Sequence, residues 1–568
     1  MGQAAIGQNT GAVAAGAKKT GAAARYVWPG ATILLLTLLT FVQFPGRTFL
    51  QSDTQIYMPI LERLGNPALF AQELLARHPH TSFTIYDESA LVLSRLTGLS
   101  LETVLLGEQF VFRALGILGI FLLACALRLS TRLALLAAAT FSLGATIAGP
   151  TVLSIEYEPV PRAFAVPLLL LAIGLAAHGR DLSAGAAASV AFLYHPPSVL
   201  PFWIVYFALT LWPSKPSIMR RRILGLIPIL VGVIALFALS RLQTGVSEPM
   251  NLFGRVDPEL ERLQRMRAPY NWLSMWQPQW FLHYPLLWLA SLLAYRRIRD
   301  SVSQDVRFFL IGLPLLGMLS MPATWLLLEK WKWILIPQLQ PARTLLFVTV
   351  LASLMAVVAA VRACERRRWW EAILWFTLVF AIPTKTYVPG LITEPGRATL
   401  LAPALALLAG VAVWAELGKR RWATASWAAA ALLPFFLIPW AGGVVNYPRL
   451  HTPEIDSLAE WARANTSQDA VFLFPDAGRE LYPGIFRSKA LRAVYVDWKG
   501  GGQVNFMREF AMEWQDRWQD TGAGRFRPEL VPSFRARGID YFVLKSEHAL
   551  KGRTPVWSNS RFLVYEPW

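Results

Sequence analysis

Long apolar runs divided by short basic clusters set the rhythm of this chain. A helix needs about 17 to 25 apolar residues to cross a hydrocarbon core of roughly 30 Å. Runs of that kind fall at Val27–Phe44, Leu101–Leu127, Leu133–Gly149, Ala163–Ala177, Ser198–Trp212, Ile223–Ser240, Val306–Leu327, Thr344–Val361, Trp370–Pro383, Ala398–Leu417 and Trp422–Trp440. Two more, Ser183–Tyr194 and Tyr284–Tyr295, are too short to cross alone and predict tilted, extended or broken helices. The pattern predicts an α-helical polytopic membrane protein with about thirteen transmembrane helices. His195-Pro196-Pro197 marks a break, since proline lacks a backbone donor and disfavours helix in the residue before it.

Beyond Trp440 the period changes. Short β runs at Ala470–Phe474, Arg492–Val496, Tyr541–Leu544 and Phe562–Tyr565 alternate with helical stretches at Pro453–Asn465 and Asn505–Gln519. This alternation predicts a small C-terminal α/β domain over 444–568 that folds by itself. Residues 1–24 are mostly Ala, Gly, Thr and Gln, too poor in large apolar side chains to order themselves, and read as a disordered cytoplasmic tail. Residues 25–443 form the transmembrane domain, with a long first outer loop over 45–100 in which apolar residues at helical spacing predict amphipathic helices on the outer leaflet.

Charge fixes the register. Lys and Arg number 54 against 36 Asp and Glu, a formal +18, which in a soluble protein would suggest nucleic acid. Here the chain is 55% hydrophobic and its basic residues gather in alternate loops, so they read as positive-inside topology signals and no nucleic-acid partner is expected. The N-terminus and the Arg366–Arg368 cluster are then cytoplasmic, and the C-terminal domain is extracytoplasmic. Cys125 and Cys364 sit in or beside apolar runs on a reducing side, so no disulfide framework is expected.

With this register, Asp53, Glu156, Glu158, Arg162 and Arg343 fall together on the outer side. Asp53, just past the first span, could cap a helix starting near Thr54 or belong to a site. Glu156-Tyr157-Glu158, braced by Pro159 and Pro161, could aim two carboxylates at one cation or remain solvated. Arg162 and Arg343 lie where the positive-inside rule does not favour arginine; they fit phosphate through the planar guanidinium fork, or snorkel to headgroups. Asp87-Glu88 reads as a helix-start signal. Glu108, Gln109 and Arg113 lie inside the second span and are expected to satisfy one another. Tyr270 to Trp280 is rich in Trp and reads as an interfacial belt or a sugar-stacking platform. His78-Pro79-His80 is a weak ligand signal. No phosphate loop, dinucleotide fingerprint or hydrolase elbow occurs, which disfavours an ATP-driven transporter.

A signal anchor, a long first outer loop with Asp53 near its start, a second outer loop with Glu156-x-Glu158, many spans and an outer C-terminal α/β domain together resemble the GT-C superfamily of integral membrane glycosyltransferases. That superfamily includes oligosaccharyltransferases, protein O-mannosyltransferases and related bacterial enzymes. Asp53 stands alone where many members carry two adjacent acids. The resemblance implies transfer of a sugar from a polyprenyl-phosphate or polyprenyl-diphosphate donor to an envelope acceptor, at the outer face of a bacterial inner membrane. It implies Asp53 as catalytic base or metal ligand, Arg162, Arg343, Arg397 and Tyr57 as substrate-binding residues, and Asp53, Glu156 and Glu158 as ligands of a divalent cation, Mg2+ or Mn2+, if one takes part. Two other functions fit the same composition: a transporter or flippase of lipid-linked sugars, centred on Glu108 and Arg113, and a non-catalytic component of an envelope polysaccharide assembly.

Overall fold

The structure is a computed structural model that describes residues 27–42, 48–78, 84–242, 253–384, 392–445, 450–523 and 525–568. The tail expected over 1–24 and His80 lie outside the described residues. Six described helices are long and apolar enough to cross a membrane: Leu101–Ala126, Pro216–Arg241, Gln304–Lys330, Ile336–Glu365, Pro395–Leu417 and Ala423–Gly442. Shorter apolar helices accompany them at Val27–Val42, Thr131–Ser142, Pro161–Ala177, Asp181–Tyr194, Pro196–Leu211 and Trp369–Pro383. The chain is a multi-pass α-helical membrane protein.

Its centre is Leu345–Glu365, apolar on every face and buried over almost its whole length, as a helix without a polar stripe must be. Leu101–Ala126 packs closely on Pro161–Ala177 because glycines remove the side chains between them. A Cβ at Gly119 would overlap the backbone of Leu170 and Leu171, and one at Gly116 would come within 2.8 Å of the Pro167 Cβ. This close pairing fixes the head of the second helix, where Arg162 stands.

One short run is extended as its length predicts, and one predicted span stops early. The run at Tyr284–Tyr295 is the apolar middle of a longer helix, Pro278–Ile298. The run at Leu133–Gly149 ends as helix at Ser142. Gly144 and Gly149 take positive φ, and an antiparallel hairpin follows, β1 (Thr146–Ile147) with β2 (Val152–Leu153). The basic loops also do more than orient the chain, since Arg222 is buried and Arg221 and Arg222 both pair with Asp305.

The C-terminal region carries a five-stranded sheet of β3 (Val471–Leu473), β4 (Ala493–Val494), β5 (Tyr541–Lys545), β6 (Trp557–Ser558) and β7 (Phe562–Tyr565), in the order β4-β3-β5-β7-β6. β3 runs parallel to β4 and β5, whereas β5, β7 and β6 are antiparallel. The helix Pro453–Asn465 forms as expected, with the Thr452 hydroxyl accepting from the Ile455 amide as an N-cap. A helix at Tyr482–Ala490 was not expected from the sequence.

This region does not pack by itself. One hydrophobic cluster joins Val496, Val504, Phe510 and Trp514 to Ile56, Leu74 and Leu75 of the long first loop and to Leu260, Leu263 and Trp272. The loop helix Thr54–Gly65 is correspondingly buried in its first half beneath the C-terminal region, where the sequence suggested a helix lying on lipid. The full burial of Trp272 likewise removes it from an interfacial belt.

The topology is tested by introducing single cysteines into a cysteine-free background. A cysteine at position 367 is expected to react with an impermeant thiol reagent only after the membrane is opened, and one at 551 without opening. Labelling of 367 from outside refutes the register.

Candidate functional site

Asp53 precedes the helix Thr54–Gly65, but its carboxylate does not cap that helix. Glu158 takes this place from another loop. Its Oε1 accepts from the Gln51 and Ser52 amides at 2.6 and 2.7 Å and from the Thr54 hydroxyl at 2.7 Å, and its Oε2 accepts from the Thr54 amide at 3.3 Å. A buried carboxylate on converging backbone N–H groups is a stable arrangement for a helix start. It frees Asp53 to face outward from the turn. Burial and the nearby Asp53 charge still push the Glu158 pKa above the usual carboxylate value.

The Asp53 carboxylate accepts from Arg162 Nη2 at 2.9 Å and from Lys499 Nζ at 2.6 Å. Arg162 Nε reaches Glu156 Oε1 at 2.7 Å, so one guanidinium bridges Asp53 and Glu156. Burial opposes ionisation of Asp53, but the Lys499 ammonium and the Arg162 guanidinium outweigh it and hold the carboxyl well below its usual range. Behind them, Arg113 donates to the Glu156 carbonyl at 2.5 Å and to the Thr40 hydroxyl at 3.0 Å, and Gln109 donates to the same carbonyl at 3.2 Å. The expected mutual pairing of Glu108 with Arg113 is therefore corrected: Arg113 braces the Glu156 loop, and Glu108 accepts from the Tyr194 hydroxyl at 3.2 Å.

Asp53 and Arg162 line a cavity of about 270 Å³ together with Tyr57, His195, Tyr270 and Arg343. Arg343 stands on the 3-10 turn Pro341–Thr344 before the central helix. Its buried Nε has no partner, and it forms no ion pair among the described residues. Its guanidinium carbon lies 6.0 Å from the centre of the Tyr270 ring. His195 accepts from the Ser198 amide at 3.3 Å, and burial, Arg343 and Arg162 together lower its pKa to about 3, so it is neutral. Burial and the Asp53 charge push the Tyr57 phenol above its usual range.

The remaining expected residues fall elsewhere. Arg397 heads the helix Pro395–Leu400, is exposed, pairs with Glu394 at 3.1 Å and is absent from the cavity wall. The proposed metal set does not fit a divalent cation in this arrangement. Asp53 and Glu156 are already bridged by a guanidinium, Lys499 occupies the other Asp53 oxygen, and Glu158 is spent on backbone amides. No group of three metal-ligating side chains is found among the described residues.

Chain comparisons give three solved structures of similar shape. ArnT from Cupriavidus metallidurans in the apo state is 14% identical at a TM-score of 0.48, over 95% of this chain and 98% of that one. The same protein bound to undecaprenyl phosphate is 15% identical at 0.46, over 95% and 97%. Arabinosyltransferase EmbB from Mycobacterium smegmatis is 13% identical at 0.34, over 75% of this chain and 41% of that one. A family model described as a domain of unknown function (DUF6798) matches residues 453–521, and no curated protein sequence matches the chain.

The matched segment carries what the sequence reading overlooked. Lys499, Gly502 and Gln503 reach the site from the C-terminal region, within the run Trp498-Lys499-Gly500-Gly501-Gly502-Gln503. The glycines are the signal that could have found them, because they permit close approach. A Cβ at Gly501 would come within 2.5 Å of the Trp514 ring, and one at Gly502 within 2.9 Å of Ile56. Arg267 holds this run from the other side, with its guanidinium carbon 3.8 Å from the centre of the Trp498 ring and a bond to the Trp498 carbonyl.

Proposed function

We propose that the chain is a GT-C-type membrane glycosyltransferase that moves a sugar from a polyprenyl-phosphate or polyprenyl-diphosphate donor to an envelope acceptor. It would act at the outer face of a bacterial inner membrane, with the N-terminus cytoplasmic and the C-terminal domain outside. The observation that carries this reading is Arg343, a guanidinium that among the described residues has no anionic partner, in a cavity whose only described lining carboxylate, Asp53, is already paired. A buried cation of this kind needs an anion, and a phosphate carried on a lipid is one that a membrane protein can recruit.

The chemistry follows from the ion pairs. With Arg162 and Lys499 both paired to it, Asp53 is too well stabilised as a carboxylate to take a proton readily. A phosphate held by Arg343 competes for Arg162 and Lys499, which weakens their hold on Asp53 and raises its basicity. The acceptor hydroxyl then attacks the sugar C1 and gives its proton to Asp53. The bond from C1 to the phosphate oxygen breaks, its electron pair leaves with the phosphate, and the guanidinium groups stabilise the charge formed there. No step is assigned to a metal. The transport reading is less well supported, because it placed Glu108 and Arg113 along a pathway and Arg113 is committed to the Glu156 loop.

The reading is tested with purified protein in nanodiscs given labelled lipid-linked sugar extracts. Release of free polyprenyl phosphate with appearance of a glycosylated product is expected, and Arg343→Ala should weaken donor binding by at least about 10-fold, the loss of a charge-assisted bond. Wild-type protein that binds no lipid phosphate overturns the reading.

A second test uses pH. The groups facing Asp53 are Lys499, Arg162, Tyr57, Glu156, Glu158 and Arg343. Because the first two hold its pKa down, wild-type kcat/KM should stay level as pH falls through the ordinary aspartate range. Lys499→Met removes one of them, so its acid limb should move to higher pH. An unmoved limb shows that Lys499 does not govern Asp53.

A further inference from the structure

Two glutamines of the same cavity remain outside the ionic arrangement. Gln340 follows the short helix Ile336–Leu339 in the left-handed region, at φ 46° and ψ 59°, immediately before Pro341. A non-glycine residue there is strained, and proline after it adds a further restriction, so the surrounding structure must enforce the conformation. The side chain so placed is only 7% exposed, lines the cavity and makes no hydrogen bond among the described residues, its oxygen being buried without a partner.

Gln503 is the counterpart from the C-terminal region. It stands on the 3-10 segment Gly500–Asn505, is 4% exposed, lines the same cavity and also has an unpartnered buried oxygen. The two segments are tied together. Gln338 donates to the Phe506 carbonyl at 3.4 Å, and Asn505 donates to the Tyr270 hydroxyl at 3.3 Å, which leaves the Tyr270 proton free to be given elsewhere. Buried carboxamides without partners are costly and uncommon, and two of them in one cavity point to a ligand that supplies hydrogen bonds.

Charge narrows the ligand. The ionisable lining beyond Tyr57 and Tyr270 is Asp53, Arg162, His195 and Arg343, with His195 neutral and Asp53 paired twice. The cations suit the phosphate, and among the described residues no lining carboxylate is left over for an ammonium group. A carboxamide both donates and accepts, which matches a hydroxyl.

We propose that Gln340 and Gln503, with Tyr270, form the subsite for the transferred group, and that this group is an uncharged, hydroxyl-bearing sugar. The inference rests on the transferase reading and specifies its donor. The C-terminal region thereby reads the sugar while the membrane helices hold the phosphate.

The test measures binding to wild type, Gln340→Leu and Gln503→Leu in nanodiscs, with three probes: undecaprenyl phosphate, the same lipid phosphate carrying a neutral hexose, and one carrying an amino sugar. Wild type is expected to bind the hexose lipid about 10-fold more tightly than the bare lipid, as one or two added hydrogen bonds allow, and to show no such gain for the amino sugar. Each variant should lose most of that gain while its affinity for the bare lipid changes less than about 2-fold, a split that general unfolding does not produce. Equal weakening of bare and sugar-bearing lipids, a preference for the amino sugar, or no preference in wild type each overturns the proposal. Failure of wild type to bind even the bare lipid phosphate overturns the transferase reading, and this one with it.

Discussion

Asp53→Asn is expected to lower sugar transfer by at least about 100-fold while leaving the affinity for the bare lipid phosphate within a few-fold of wild type. The substitution is nearly isosteric, so the turn held by Glu158 through the Gln51, Ser52 and Thr54 amides should persist. What it removes is the only carboxylate that the described residues place on the cavity wall. Asparagine cannot accept the acceptor's proton, and Lys499 and Arg162 lose the anion they share. Loss of transfer with binding retained separates a base from a binding group, and equal loss of both would sink the assignment. The stabilising effect of the Asp53 ion pairs follows the same pKa direction. It is present above the ordinary aspartate value of 3.8 and is lost only as pH falls through the depressed value of the folded protein, so mild acid should not disrupt this contact. Asp87→Asn serves as the control. Burial and the adjacent Glu88 raise the Asp87 pKa to about 8, so near neutrality it is already largely protonated and asparagine changes little.

How much of this was readable in the sequence differs by element. That Asp53, Glu156, Arg162 and Arg343 gather at one site was legible from counting apolar runs against alternating basic loops, both properties of short segments. Pro453–Asn465 was equally plain, since Glu454 and Asp456 mark its first turn. The partners of each side chain were less accessible. Glu158 looks like a metal ligand or a solvated charge because nothing in its neighbourhood reveals that the backbone amides of residues 51, 52 and 54 will meet it. Lys499 pairs with an aspartate 446 positions earlier, a contact that no local pattern encodes. Arg343 and Arg397 look alike in sequence, each opening an apolar helix. Arg397 finds Glu394 one turn away, whereas Arg343 forms no ion pair among the described residues and lines the cavity.

The C-terminal region, read from sequence as self-contained, is instead joined to the long first loop by a buried ion cluster, and Arg487→Met should expose that dependence. Arg487 is fully buried, meets Asp497 at 2.7 Å and Glu73 at 3.4 Å, and donates to the Gln55 carbonyl at 2.9 Å. Asp497 in turn accepts from the Gly500 amide at 3.2 Å and Glu73 from the Val494 amide at 2.8 Å, so one guanidinium fixes both the loop that carries Asp53 and the run that carries Lys499. Removing it leaves two buried carboxylates without compensation, for which a loss of about 3–5 kcal/mol is the usual consequence. Burial already raises the Glu73 pKa above the ordinary glutamate value against the pull of Arg487, and loss of Arg487 raises it further. The protonated form is then the one that folding favours. The deficit should be smallest below pH 4.5, the ordinary value, and grow as pH rises through the raised one. Thermal melting in detergent should therefore show a larger drop at pH 8 than at pH 5, accompanied by protease cleavage between the membrane helices and the C-terminal region. Glu73→Gln added to Arg487→Met should recover part of the loss at pH 8, because one uncompensated charge is gone. A melting temperature unchanged at either pH would show that the two parts hold together without this cluster, and that Lys499 is positioned by the hydrophobic contacts alone.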